Sequence, residues 1–566
     1  MMNTTKVYIE KYDFKDKSKV EDHFQSLLER NITSVEELEN WLKDVSDFYD
    51  AIQEAMDGHY IDFQANNEDQ EAKEAFEYDQ EKIEPLVKRY QAKLDEKFMN
   101  TQWKENLSEA EYSRLIRSKQ NALELFNEAN VELEIEEDKL ATQYFEHTGA
   151  LTAEWNGEEK TITQLFTYLQ DPDRSIRKKA FGLIFNEILE VKPDLQDIMS
   201  RLIEIREEKA KNSGLENYRD YMFKKYERFD YTPEDCKELA ESIKTHVLPL
   251  AKDIQDEHRR ELGLEDYRPY DTKAVPSDKK PLKPFKTTEE FVDKTATVLG
   301  ELDPRFKELI EIMNERGMLD LENLKNKSPG GFCTPLPISE LSFIFMNAAN
   351  THSDMMTLVH EMGHCVHNDL KRPIELSYYR DTPMESSELA SMTMELITMD
   401  YWHHFYDKKE DLKRAKLDVL KDIVMFLPGG VVIDQFQHWM YENPNHTKED
   451  RMNKYMELRQ EFDPGVVNFD GYEEARKAQW LFVLHIFEVP FYYIEYVIAQ
   501  LGAVQMYKQY REDPEKALQN YKEALSLGNT KSLYEVYEAA GIKFDFSAEM
   551  VKELMDFIQA EIDELE

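Results

Sequence analysis

The chain has 566 residues, 41% of them apolar and 12% aromatic, enough for an extensive core, which excludes a disordered or fibrous protein. Acidic residues number 115 against 71 lysines and arginines, a formal net charge of −44, and a surface this acidic excludes nucleic acid and anionic membranes as partners. Three cysteines, Cys236, Cys333 and Cys365, occur without a CxxC pair, and no run of about 18 apolar residues can span a bilayer.

The chain starts MMNTTKVYIEKYDF, which lacks the apolar core of a signal peptide. With the cysteine pattern, this predicts a cytoplasmic protein without a membrane partner. Apolar residues then recur at three- and four-residue spacing in Val20–Leu28, Glu36–Tyr49 and Tyr90–Phe98. The same pattern fills Ala180–Ile203, Lys237–His258 and Ala548–Leu565, so the predicted fold class is predominantly α. Arg268–Lys286 interrupts it with prolines and lysines and reads as a long surface loop rather than a domain linker. In Lys327–Asn350, the Pro329-Gly330-Gly331 turn signal and the aromatic-rich run Leu341–Met346 predict a small β element. Its edge could take an extended peptide as an added strand, or it could be an ordinary hairpin under the core.

The next segment, DMMTLVHEMGHCVHNDL, has a helical apolar face, and Ser353 or Asp354 can cap its start. His360 and His364 stand four residues apart on that helix, so both imidazoles project from one face and can hold a single zinc ion. Glu361 lies beside the first of them, where a general base is required, and Gly363 is where a neighbouring backbone could come close. His367 sits about two turns from His360, too far for all three histidines to converge, and reads as an outer-sphere or core histidine. Glu385, Glu388 and Glu395 share one face of a second helix over Pro383–Leu396. One could complete the metal site while another orients a histidine. Spacing alone does not choose among the three. Further on, HIFEVPFYYIEY gathers His485, Tyr492, Tyr493 and Tyr496, either donors for a developing oxyanion or a core aromatic stripe.

These residues together resemble the active-site region of the thimet-oligopeptidase family of zinc metallopeptidases. FIFMNAANTHSDMMTLVHEMGHCVH looks closest to its oligoendopeptidase F and Pz-peptidase branch. SELASMTMEL is similar to the family's second motif, which implies Glu388 as the third zinc ligand and Glu395 as its later glutamate, with Glu385 and His367 outside the ligand set. HIFEVPFYYIEYVIAQLGA resembles the third motif, which implies catalytic roles for His485, Tyr492 and Tyr496 and a substrate contact for Tyr493; Ile494 stands where some members have tyrosine. PGGFC is similar to the substrate-edge segment, implying substrate contacts at Gly330, Gly331 and Phe332. The resemblance implies a bilobed helical ellipsoid with a deep channel, a helical N-terminal lobe over 1–190 and a catalytic region over 191–566. It implies one zinc per chain and cleavage of internal bonds in short unstructured oligopeptides, and leaves monomer and homo-oligomer both open.

Two other readings fit the same residues. A zinc carboxypeptidase or dipeptidyl-carboxypeptidase needs a cation near the metal for the substrate's terminal carboxylate, and Arg372 and Arg380 are available. A non-catalytic helical peptide-binding scaffold would carry HExxH by chance.

Overall fold

The computed structural model describes residues 7–324, 327–328 and 330–566. Pro329, the first residue of the expected turn, lies outside them. The fold is predominantly helical, with one three-stranded sheet and one two-stranded hairpin among the described residues. None of the described helices is long and apolar enough to cross a membrane.

Packing groups the chain into two compact units, each assembled from separated stretches. The first comprises Met1–Phe126, Leu282–Ala415 and Ala499–Phe544; the second comprises Asn127–Pro281, Lys416–Ile498 and Asp545–Glu566. Residue 190, where the expected N-terminal lobe ends, lies inside the single helix Arg174–Asn212. Arg268–Lys286, expected to be only a surface loop, contains the crossing from one unit to the other at Pro281–Leu282.

In the first unit, the helices Lys17–Glu29, Val35–Ala65 and Glu84–Asn100 contain the predicted amphipathic segments. They bury Phe24, Trp41, Phe48, Leu94 and Phe98 in one cluster. The predicted β element is a sheet with Leu341–Ala348 in the middle, parallel to Leu319–Glu322 and antiparallel to Phe332–Leu336. The middle strand and Phe332–Leu336 both pack on the helix His352–Lys371. Glu54, fully buried, fixes the turn after Phe332–Leu336 by accepting from the Ser339 N–H at 2.9 Å and the Ile338 N–H at 2.5 Å.

The second unit is built on Arg174–Asn212, against which Glu128–Gly149 packs. The segment Lys237–His258, expected as one helix, is two: Pro233–His246 and Leu248–Glu261. Pro249 lacks an N–H and its ring clashes with the preceding turn, so the ladder breaks at Val247. The C-terminal helix Ala548–Leu565 lies along Pro233–His246. The hairpin Thr152–Trp155/Glu158–Thr161 turns on Asn156 and Gly157, with φ of 54° and 89°. Both residues are left-handed, as a two-residue turn matching strand twist requires.

Arg206 is fully buried in this unit, donating to Glu137 Oε1 at 2.7 Å, the Tyr441 hydroxyl at 2.7 Å and the Ile486 carbonyl at 3.0 Å. Lys209 reaches the other Glu137 oxygen at 2.7 Å. Burial would raise the Glu137 carboxyl, but the two cations outweigh it and hold it well below the usual carboxylate range. The pairing therefore stabilises fully at neutral pH and is lost as pH falls through that depressed value. Glu137→Ala strands two buried cations and is expected to cost about 3–5 kcal/mol, read by urea unfolding at pH 7.

Candidate metal centre

The helix His352–Lys371 starts one residue before Ser353, with Thr351 as its cap rather than Ser353 or Asp354. Thr351 accepts from the Asp354 N–H while Asp354 accepts from the Thr351 N–H, a reciprocal box that sets where the helix begins. Asp354 thus serves as the third residue of the box. Met355, Leu358, Val359, Met362 and Val366 are all buried, as the periodicity predicts.

The second helix, Met384–Ile397, lies close against the first. Gly363 makes this possible. A Cβ added there would sit 2.5 Å from Ser391 Cα and 2.9 Å from the Ala390 carbonyl oxygen. The far side is anchored by Tyr521, whose hydroxyl donates to that same carbonyl at 2.8 Å.

This contact brings His360, His364 and Glu388 together, with one nitrogen or oxygen from each within 4.8 Å of the others. Glu388 Oε2 stands 3.3 Å from His360 Nε2 and 3.8 Å from His364 Nε2. The other ring nitrogen of His360 meets Glu395 Oε1 at 2.5 Å, so Glu395 sets the ring's orientation and leaves Nε2 directed at Glu388. Ser387 Oγ lies 3.4 Å from His364 Nδ1, and Ser391 donates to Glu388 Oε2 at 3.0 Å. Two imidazole nitrogens and a carboxylate oxygen on rigid helices are the donor set of a three-ligand zinc centre, and the residues fit that ion.

The electrostatics favour a cation. Burial disfavours a charged His360, yet its contacts with Glu388 and Glu395 overcome this and hold it well above the usual histidine value. Burial brings His364 down to about 4 despite Glu388 nearby. Glu361, 8% exposed, is pushed up to about 7 by burial, with Glu388 and Glu395 adding and His360 opposing. His367 is buried and kept neutral by desolvation. Glu385 is also buried, and its charge helps raise the Tyr537 phenol, which burial already raises.

Gly330 has φ of 103°, and Gly331 lies against the Phe345 carbonyl, so a Cβ there would come within 3.2 Å of it. Phe332 opens the edge strand with its ring stacked on Phe345 at 4.9 Å and tilted against Tyr60 at 5.2 Å.

His485, Tyr492, Tyr493 and Tyr496 belong to the second unit, where they form one ring cluster. His485 lies 5.7, 5.1 and 5.6 Å from the three tyrosine rings, and its Nε2 is 3.4 Å from the Tyr496 hydroxyl. The chain is not one helix here. Leu484–Glu488 ends before Phe491, whose φ of 67° turns the backbone into Tyr493–Glu512. Two buried arginines hold this turn: Arg206 through the Ile486 carbonyl, and Arg228 through the Phe491 carbonyl at 2.5 Å and Glu495 at 2.7 Å. Both were missed at the sequence level, where a solitary arginine in a helical pattern carries no signal. Thr351 could have been found from its Thr-x-x-Asp spacing.

The chain matches known proteins in sequence and in fold. A family profile described as peptidase family M3 matches residues 167–556, and one described as peptidase M3 N-terminal domain matches residues 10–126. A solved structure titled Pz peptidase A with inhibitor 2 superposes with a TM-score of 0.91 at 26% identity, covering 98% of both chains. The oligopeptidase PepF of Bacillus subtilis is 22% identical over 82% of this chain and 66% of its own length. An oligoendopeptidase F homolog of Lactococcus lactis is 23% identical over 70% of this chain and 65% of its own length. The chain thus spans just under two thirds of the length of these curated relatives.

Gly363→Ala forces the two helices apart, so it is expected to cost about 1–3 kcal/mol and lower the thermal unfolding midpoint. An unchanged midpoint would mean the close approach at Ser391 is not a constraint.

Proposed function

We propose, from the premise that this chain belongs to peptidase family M3, that it is a zinc-dependent oligoendopeptidase that hydrolyses internal bonds of short unstructured peptides. The reading includes action in the cytoplasm, the compartment the cysteine pattern fits. The observation that carries it is the convergence of His360, His364 and Glu388 with Glu361 alongside, on two helices that meet closely at Gly363.

His360, His364 and Glu388 would hold the zinc. When bound, the ion supplies a Lewis acid that polarises the scissile carbonyl and acidifies water. Glu361 takes the proton from the attacking water and returns it to the leaving amine, acting as general base and then as general acid. Glu395 keeps His360 in one orientation throughout. The reading assigns to His485, Tyr492 and Tyr496 the hydrogen bonds to the oxyanion, and to Tyr493 and Gly330–Phe332 the contacts with substrate.

An endopeptidase is favoured over the exopeptidase rivals by the state of the two arginines. Arg380 is engaged by Asp50 and by the carbonyls of Ile374 and Glu375. Arg372 pairs with Glu340 and Asp369, each at 3.5 Å. Capturing a terminal carboxylate would require either arginine to give up these partners.

Glu361→Gln is expected to retain zinc and lose about 10²–10⁴-fold in kcat on a fluorogenic peptide. Near-full activity with zinc bound would sink the scheme. A peptide blocked at both ends should be cleaved internally, chelator should abolish the cleavage, and added zinc should restore it. Cleavage confined to peptides with a free C-terminus would instead identify the exopeptidase.

A further inference from the structure

The second unit holds another set of converging donors. Asp434 and His438 stand four residues apart on Lys409–Glu442, so they share a face, and Cys236 comes from Pro233–His246. One ligand atom from each lies within 4.8 Å of the other two. All are deeply buried: Cys236 and Asp434 are 0% exposed and His438 is 2% exposed. The rings of Phe491 and Phe223 lie 5.4 and 6.0 Å from the imidazole, giving the place an apolar wall.

Polar groups in such surroundings are expensive unless paired. Yet among the described residues neither ring nitrogen of His438 has a hydrogen-bond partner, nor does Asp434 Oδ1; Asp434 Oδ2 accepts from Gln435 Nε2 at 3.0 Å. His438 Nε2 does approach Asp434 Oδ2, at 3.2 Å, but without hydrogen-bond alignment. A histidine–aspartate ion pair directs its N–H along the line to the oxygen. Two ligands of one ion instead direct their lone pairs at a common third point.

We propose that Cys236, Asp434 and His438 form a second, structural metal site that takes a zinc-class divalent cation. A thiolate, an imidazole and a carboxylate select zinc, cobalt or ferrous iron over magnesium or calcium. Thiolate, carboxylate and divalent ion sum to zero charge, which lets all three enter the apolar interior together. The ion ties Pro233–His246 to Lys409–Glu442. Gln437, between the two ligands on the second helix, accepts from the Phe491 N–H at 2.8 Å, so the tie bears directly on the turn that carries the His485 cluster. The site shares no residue with the His360 centre and does not rest on the peptidase reading.

The test is cobalt titration of the metal-free full-length protein, followed by absorption. The His360 centre has no sulfur ligand, so a thiolate-to-cobalt charge-transfer band in the near ultraviolet reports the second site alone. The band is expected in the wild type, in Glu388→Ala and in Cys333→Ser, and is expected to be lost in Cys236→Ser. Zinc content at saturation should be about two per chain in the wild type and about one in Glu388→Ala and in Cys236→Ser. No sulfur band in the wild type at saturating cobalt overturns the proposal, as does a band that survives Cys236→Ser. The wild-type titration decides even where the Cys236 variant fails to fold.

Discussion

The first unit depends on the contact between two helices at Gly363. Without a side chain there, the backbone of Met384–Ile397 comes close enough for Glu388 to face both histidines of His352–Lys371. Larger residues would separate the helices, and a carboxylate that is 3% exposed would be left without nitrogen partners. The surrounding structure serves this contact: Tyr521 holds the Ala390 carbonyl, the capping box at Thr351 sets the helix start, and the sheet packs on the same helix. The charge balance follows from it. Glu388 and Glu395 on either side of His360 hold a positive charge in the interior, the condition a divalent cation meets.

The second unit uses buried cations instead. Arg206 and Arg228 fasten carbonyls before and at the strained Phe491 turn, and Glu137 and Glu495 neutralise them. This explains how a backbone with φ of 67° at a phenylalanine is kept in place beside the His485 and tyrosine rings. The Asp434–His438 face lies under the same turn, linked to it by Gln437.

Much of this was legible in the sequence wherever one helix carries the information. Periodicity located the helix with His360 and His364 because spacing of four defines a face regardless of context. The β element was legible from its glycines and aromatics. Glu388 was not separable from Glu385 and Glu395 by spacing, since all three share a face; the resemblance selected it, and packing across Gly363 places it against the histidines. The hairpin at Asn156–Gly157 was overlooked within a helical pattern, although Asn-Gly is a strong turn signal. Pro249 also marked a break that apolar spacing obscured. Which stretches make up each of the two units was not legible, because it follows from where the chain returns after long excursions, which no local pattern encodes. Cys236 joins Asp434 and His438 in the same way, through tertiary packing alone.

Whether His360, His364 and Glu388 hold zinc is read by anomalous diffraction at the zinc absorption edge, on crystals of the protein grown with zinc. A peak is expected about 2.0–2.2 Å from the Nε2 atoms of both histidines and from a Glu388 oxygen. Saturating zinc with no peak between those atoms, and Glu388 still paired with His360, would contradict it.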